Sequence, residues 1–173
     1  MNKWKINLNK QKTQALFLTN RYSKHLPGSH MKFLDENIKW ETEAKYLGMV
    51  IDKRVTLKHH VDYVTNRANT ALRNLYPLIS RNSQLDVRNK LLIYKLAIRP
   101  IFTYGCPAFE NMAKTHIQKL QVLQNKFLRI VLNKTRYDRI TDLHAEAKIP
   151  SIEDYIGKLQ ANFNIRLASQ NSE

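Results

Sequence analysis

The sequence predicts an α+β protein in which a small antiparallel β-rich piece, residues 1–55, precedes a mainly helical bundle, residues 56–173. Three observations predict it. Short runs in the first third alternate apolar and polar residues, the pattern of half-buried strands. From Leu57 onward apolar residues recur every three or four positions, the pattern of helices with one buried stripe. No convincing strand pattern follows Asp52.

Taken in order, "WKINL" puts Trp4, Ile6 and Leu8 on one face and Lys5 and Asn7 on the other, and "QALFLT" (Gln14 to Thr19) follows as a second apolar segment. "RYSKHLPGSH" reads as a loop because Pro27-Gly28 punctuates a polar run. "MKFLDENIKW" reads as two short strands around Asp35-Glu36-Asn37. "YLGMVI" is the last strand, and Gly48 within it is anomalous: glycine weakens a strand interior and marks a bulge or a place where a ligand or another backbone comes close. Leu57, Val61, Val64, Ala68, Leu72, Leu75 and Ile79 then form one helical stripe, with Lys58, Arg67 and Arg73 off it. Asn82-Ser83 is the expected cap of a second helix running through "LLIYKLAI" until Pro100, which lacks an N–H, kinks or ends it. A third helix, about His116 to Leu132, is patterned by Ile117, Leu120, Leu123, Phe127 and Ile130/Val131, with Lys119, Lys126 and Arg129 on its wet side. That stripe is too short for a coiled-coil seam and reads as bundle core. A short helix near Asp142 to Lys148 follows the polar "NKTRYDR", and behind Pro150 a last helix opens with Ser151 and Asp154 at capping-box spacing.

Charge bounds the partner. The chain carries 29 Lys and Arg against 14 Asp and Glu, a net charge of +15 on 173 residues, which points to a polyanion, nucleic acid or an anionic membrane surface. Residues 56–140 hold 15 of these bases and 4 of the acids, whereas residues 141–173 hold 3 and 5, so the middle of the chain is the electrostatic face. Such a concentration favours phosphate contact over simple solvation. The longest apolar run, Leu91 to Ile98, is cut by Lys95 and is far short of the ~20 residues of a membrane span. No secretory leader is expected from "MNKWKINLNK", and a single Cys106 allows no internal disulfide, so an intracellular compartment, cytoplasmic or nuclear, is expected.

Catalytic and metal-binding readings are weak. Asp35-Glu36 sits in a turn, Glu41 and Glu43 in the polar "ETEAK", and Glu153-Asp154 in the first turn of a helix, where carboxylates complement the backbone dipole. Cys106 in "YGCPAF" has no evident base and reads as a packed or loop thiol. His59 and His60 are adjacent, and adjacent helical residues do not face the same way, so they read as helix-start polar residues and not as a ligand pair.

Three blocks carry a resemblance: "WKINLNKQKTQALFLTN", "IKWETEAKYLGMVIDKRVTLKHHV" and "LLIYKLAIRPIFTYGCPAFENMAKTHIQKLQVLQNKFLRIVLN". In order and spacing the chain resembles the reverse transcriptases of non-LTR (LINE-like) retrotransposons, the jockey type in particular. The resemblance implies that residues 1–55 are the end of a polymerase palm with a primer-grip-like hairpin, and residues 56–173 a helical thumb with the segment beyond it. It implies a place for Lys12 near the incoming nucleotide's phosphates, with an ordinary surface lysine as the competing account. Leu47, Gly48 and Met49 would meet the primer strand, unless Gly48 is a simple bulge, and Lys58, Arg67 and Arg73 would contact phosphates of a primer–template duplex, RNA or DNA.

Departures from the family pattern qualify it. The sequence contains no Asp-Asp dipeptide, so the aspartates that hold Mg²⁺ in the parent polymerases are missing and no catalytic residue, metal or cofactor is expected here. Phe109 stands where the family commonly has Trp, and no zinc-knuckle Cys/His cluster is present. The expectation is a non-catalytic C-terminal fragment that binds nucleic acid, or alternatively a small basic nucleic-acid-binding or adaptor protein repurposed by a host. Strands "WKINL" and "QALFLT", lacking palm elements to pack on, are expected to promote self-association.

Overall fold

The structure, a computed structural model, describes residues 9, 12–19, 31–33, 36–108 and 112–170. The "WKINL" segment, the loop from Arg21 to His30, Asp35 and Phe109 lie outside the described residues. The chain forms two compact units, Met1–His59 and His60–Glu173, and the class is α+β.

The first unit contains six short strands: β1 (Ala15–Leu16), β2 (Met31–Phe33), β3 (Glu36–Ile38), β4 (Trp40–Glu41), β5 (Glu43–Tyr46) and β6 (Met49–Asp52). They make three two-stranded ladders, β1–β4, β2–β3 and β5–β6. Two are antiparallel hairpins, with Met31 opposite Ile38 and Glu43 opposite Asp52. The third departs from the purely antiparallel sheet expected above: β1 runs parallel to β4, Ala15 opposite Trp40. Parallel pairing needs a crossover of a dozen or more residues, and the β2–β3 hairpin lies inside one long enough. Phe17 packs edge-on against Trp40 beside this ladder, with ring centroids 6.2 Å apart.

"YLGMVI" is not a single strand. Tyr46 pairs with Met49, and Leu47 and Gly48 form a two-residue turn between β5 and β6. Both turn residues have positive φ, 46° and 82°, the signature of a type I′ hairpin, whose twist matches that of the flanking strands. The glycine therefore answers to backbone handedness at a hairpin tip. "ETEAK", which its polar composition suggests as a connection, instead carries the end of β4 and most of β5, with a bend at Thr42 between them.

Asp52 closes the first unit. Its carboxylate accepts hydrogen bonds from the backbone N–H of Arg54 (3.2 Å), Thr56 (3.2 Å) and Leu57 (3.1 Å) and from the Thr56 hydroxyl (3.2 Å). These bonds hold a turn in which Val55 and Leu57 adopt φ of 53° and 62°, a region costly for branched and bulky residues.

In the second unit the expected stripe is realised. Helix α1 (Lys58–Ile79) buries Val61, Val64, Ala68, Leu72 and Ile79. Asp86, not Asn82-Ser83, caps α2 (Val87–Ile93), accepting from Arg88 N–H at 3.0 Å. Ser83 is otherwise engaged, its hydroxyl accepting from Leu85 N–H two residues on, a local turn that competes with capping. Beyond α2 the helix widens into a π stretch, Tyr94–Ile98, and continues as α3 (Arg99–Thr103) with Pro100 in its first turn. Pro100 thus neither ends nor sharply breaks the helix, because its missing N–H falls where the hydrogen-bond register changes.

Helix α4 (Lys114–Val131) crosses the core, and α5 (Ile140–Ala147) and α6 (Ile152–Gln170) follow. Tyr94, Phe102, Phe127, Leu120, Leu128, Leu143 and Ile152 are fully buried, and the Tyr94 and Phe127 rings lie 4.7 Å apart. Helix α5 stops where Lys148 takes a left-handed conformation, φ 51°. Ser151 then caps α6: its hydroxyl accepts from Asp154 N–H at 3.1 Å and donates to the Asp154 carboxylate at 2.6 Å. Among the described residues no strand follows Asp52, and no helix is long and apolar enough to cross a membrane.

Candidate nucleic-acid interface

The basic residues of α1 do not form one face. A residue in a helix is turned about 100° from the next. Counting from Asp62, Lys58 and Arg73 fall within about 40° of it, whereas Arg67 lies about 140° round the helix. There Arg67 rests over Tyr63, 5.7 Å from its ring centroid.

The edge that carries Asp62 and Arg73 faces α4. Lys119 Nζ meets Asp62 at 2.6 Å, and Lys126 Nζ donates to Asn69 Oδ1 at 3.1 Å. Both contacts join residues the same distance apart in sequence, so the two helices run in the same direction in fixed register. Between them lies an open groove of about 510 Å³, bordered by Thr65, Asn69, Gln118, Lys119, Val122 and Lys126. Val122 is 67% exposed on its floor. Lys119 and Lys126 stand two helical turns apart, about 10.5 Å along α4. The Lys119–Asp62 pair is about half exposed on both sides, a class of ion pair worth at most about 1 kcal/mol, so a phosphate can compete for the lysine. A larger cleft of about 670 Å³ between α4, α5 and the start of α6 has Lys114 and His144 on one side but Glu153 and Asp154 on another, a mixture that does not suit a polyanion.

Arg99 is a further cation that sequence pattern did not single out. Its guanidinium lies over the Tyr155 ring, 3.9 Å from the centroid, and its Nε is buried without a hydrogen-bond partner. Only a tertiary contact between α3 and α6 makes this visible. Lys90, by contrast, is spent inside the fold: it is buried and its Nζ donates to Ser80 O at 2.7 Å, past the end of α1.

In the first unit, Lys12 is exposed in a short turn closed by its own N–H on Asn9 O. Leu47 is 71% exposed, Gly48 is exposed beside it at the hairpin tip, and Met49 is half-buried.

Glu43 pairs with His59 Nδ1 at 2.7 Å, whereas His60 is buried, its imidazole pushed toward the neutral form by burial and partly offset by its hydrogen bond to the Tyr104 backbone. The two histidines diverge. Cys106 is buried, its thiol pushed up to about 12 by burial, which makes it inert as a nucleophile. Among the described residues no three His, Cys, Asp or Glu side chains converge on a point that could hold a metal ion.

The sequence relatives of the chain are RNA-directed DNA polymerases of mobile elements. The chain is 30% identical to the probable RNA-directed DNA polymerase from transposon X-element of Drosophila melanogaster over 95% of its length. It is 28% identical to the RNA-directed DNA polymerase from mobile element jockey of Drosophila funebris over 96%, and 31% identical to the probable enzyme from transposon BS of Drosophila melanogaster over 76%. The similarity is thus to reverse transcriptases of jockey-type non-LTR elements, and it extends over most of the chain. The chain spans about 18% of the length of the X-element and jockey relatives and 14% of the BS relative. No family model and no solved structure matches it.

Proposed function

We propose that the chain is a non-catalytic part of a retrotransposon reverse transcriptase that holds primer–template duplex through its phosphates. In this reading residues 1–55 are the end of the palm and residues 56–173 the thumb and the segment beyond it. Lys12 stands near the nucleotide phosphates, and the Leu47-Gly48-Met49 hairpin tip touches the primer strand. The observation that carries the proposal is the basic edge of α1 and α4. Lys119 and Lys126 border one open groove, Lys58 and Arg73 share the edge of α1 that faces it, and the chain as a whole carries +15. An exposed two-residue hairpin supports the primer contact, because a tip with glycine admits close approach of a sugar–phosphate backbone.

Phosphate contacts position a duplex without reading its bases. If Lys58, Arg73, Lys119 and Lys126 each neutralise one phosphate, log K against log salt on B-DNA should fall with a slope of about −3.6, with little sequence preference. Lys126→Ala should make the slope shallower by about 0.9, and Arg67→Ala, facing the other way, should leave it unchanged. Fluorescence anisotropy on a labelled duplex between 50 and 300 mM salt measures this. A flat salt response, or binding to anionic vesicles in place of duplex, would sink the proposal.

A further inference from the structure

The segment "NKTRYDR" looks like a plain connector between α4 and α5, yet the structure holds it rigid in order to expose one aromatic ring. Arg129, on α4, donates from Nε to Thr135 O at 2.9 Å and from Nη2 to Asp138 O at 3.4 Å. The Asp138 carboxylate accepts from Thr135 N–H at 2.6 Å and from the Thr135 hydroxyl at 2.8 Å. Lys134 is tied to Glu146 of α5 at 2.9 Å. With both ends fastened, Tyr137 is 80% exposed, the most exposed of the large apolar side chains described. Arg136 lies 4.8 Å from its ring centroid and donates to its hydroxyl at 2.6 Å, and Arg139 is exposed two residues on.

We propose that this loop is a stacking platform for one unpaired base of a single-stranded nucleic acid, with Tyr137 under the base and Arg136 and Arg139 on the flanking phosphates. An aromatic ring fixed at the surface among cations is the recurring device of single-strand binding, because every base presents a π-face whereas duplex bases hide theirs in the stack. Two features favour a base over a protein partner. Within the loop Tyr137 is the one large apolar side chain, with half-exposed Ile140 opening α5 beyond it; Arg136 and Arg139 are complementary to phosphodiesters, and the Asp138 carboxylate between them is occupied by Thr135. The loop is also pre-organised, so little ordering entropy opposes binding. The proposal rests on the nucleic-acid reading above but uses a different surface and a different form of ligand.

The test measures binding of a ten-nucleotide oligothymidylate and of a blunt duplex to the full chain and to Tyr137→Ala, Tyr137→Leu and Tyr137→Phe. All three changes fall on an exposed side chain and leave the core untouched. Alanine and leucine should weaken single-strand binding between about fivefold and a hundredfold, while phenylalanine keeps it near wild type and duplex affinity stays within about twofold in every variant. Single-strand binding that alanine leaves unchanged, that falls in step with duplex binding, or that leucine sustains as well as phenylalanine overturns the platform. Wild-type binding of duplex without single strand overturns it and spares the duplex reading. Failure to bind either ligand overturns both.

Discussion

Gln124→Ala is expected to destabilise the helical unit by about 2–4 kcal/mol, although no charge is lost and the residue is polar. Gln124 lies in the middle of α4, fully buried. Its carbonyl accepts the hydroxyl hydrogen of Tyr94, also fully buried, and its amide donates to Pro150 O at 2.9 Å. One side chain thus ties the π stretch after α2 to the entry of α6. Burial pushes the Tyr94 hydroxyl well above its ordinary value, with a counteracting effect from Arg99, so the phenol remains a donor throughout the useful pH range. Truncating Gln124 leaves that donor dry and unpaired, which costs the desolvation of the group as well as the bond. Removing both partners should be far milder. Tyr94→Phe with Gln124→Leu is expected to lie closer to wild type than Gln124→Leu alone, with a coupling of about 1–2 kcal/mol. Urea unfolding followed by helical circular dichroism supplies the cycle, and additive single effects would refute the coupling.

In the first unit, Asp52→Ala is expected to cost about 2–3 kcal/mol and to release the turn that leads into α1. Burial raises the carboxyl's pKa, but the hydrogen bonds from Thr56, Leu57 and Arg54 outweigh it and hold the group below its ordinary 3.8. A carboxylate whose folded pKa is depressed contributes stability that is fully present above the unfolded value. That contribution is lost as pH falls through the lower, folded one. Stability of this unit should therefore be level from pH 7 down to about 5 and decline below about 4, and Asp52→Asn should flatten the part of the decline that Asp52 causes. Trp4 and Trp40 are the chain's two tryptophans, both within residues 1–59, so indole fluorescence reports this unit alone. An unchanged acid limb in Asp52→Asn would show that other carboxylates govern it.

The helical half is legible in advance because helix periodicity is local. The spacing from Leu57 to Ile79 and from Ile117 to Val131 states which face is buried before any partner is known, and the structure buries those faces. The Ser151–Asp154 cap is equally local. Errors arise where two local signals compete. Asn82-Ser83 and Asp86 are both plausible caps, and the outcome turns on Ser83 being occupied by Leu85 N–H. Gly48 reads as a strand glycine until its neighbour Leu47 is seen to share positive φ. The basic stripe of α1 shows the limit at the candidate interface: charge counts are visible in the sequence, but which cations share an edge is a matter of angle, and Arg67 does not.

By itself the sequence determines the class, the helical stripes, the basic middle and the likeness to reverse transcriptases, because each is written in spacing and composition along the chain. The parallel β1–β4 pair, the α1–α4 groove and the Tyr94–Gln124 tie are decided by the tertiary structure. Each depends on residues far apart in the chain meeting at particular distances, and such meetings follow from how whole elements pack and not from the pattern within any one of them.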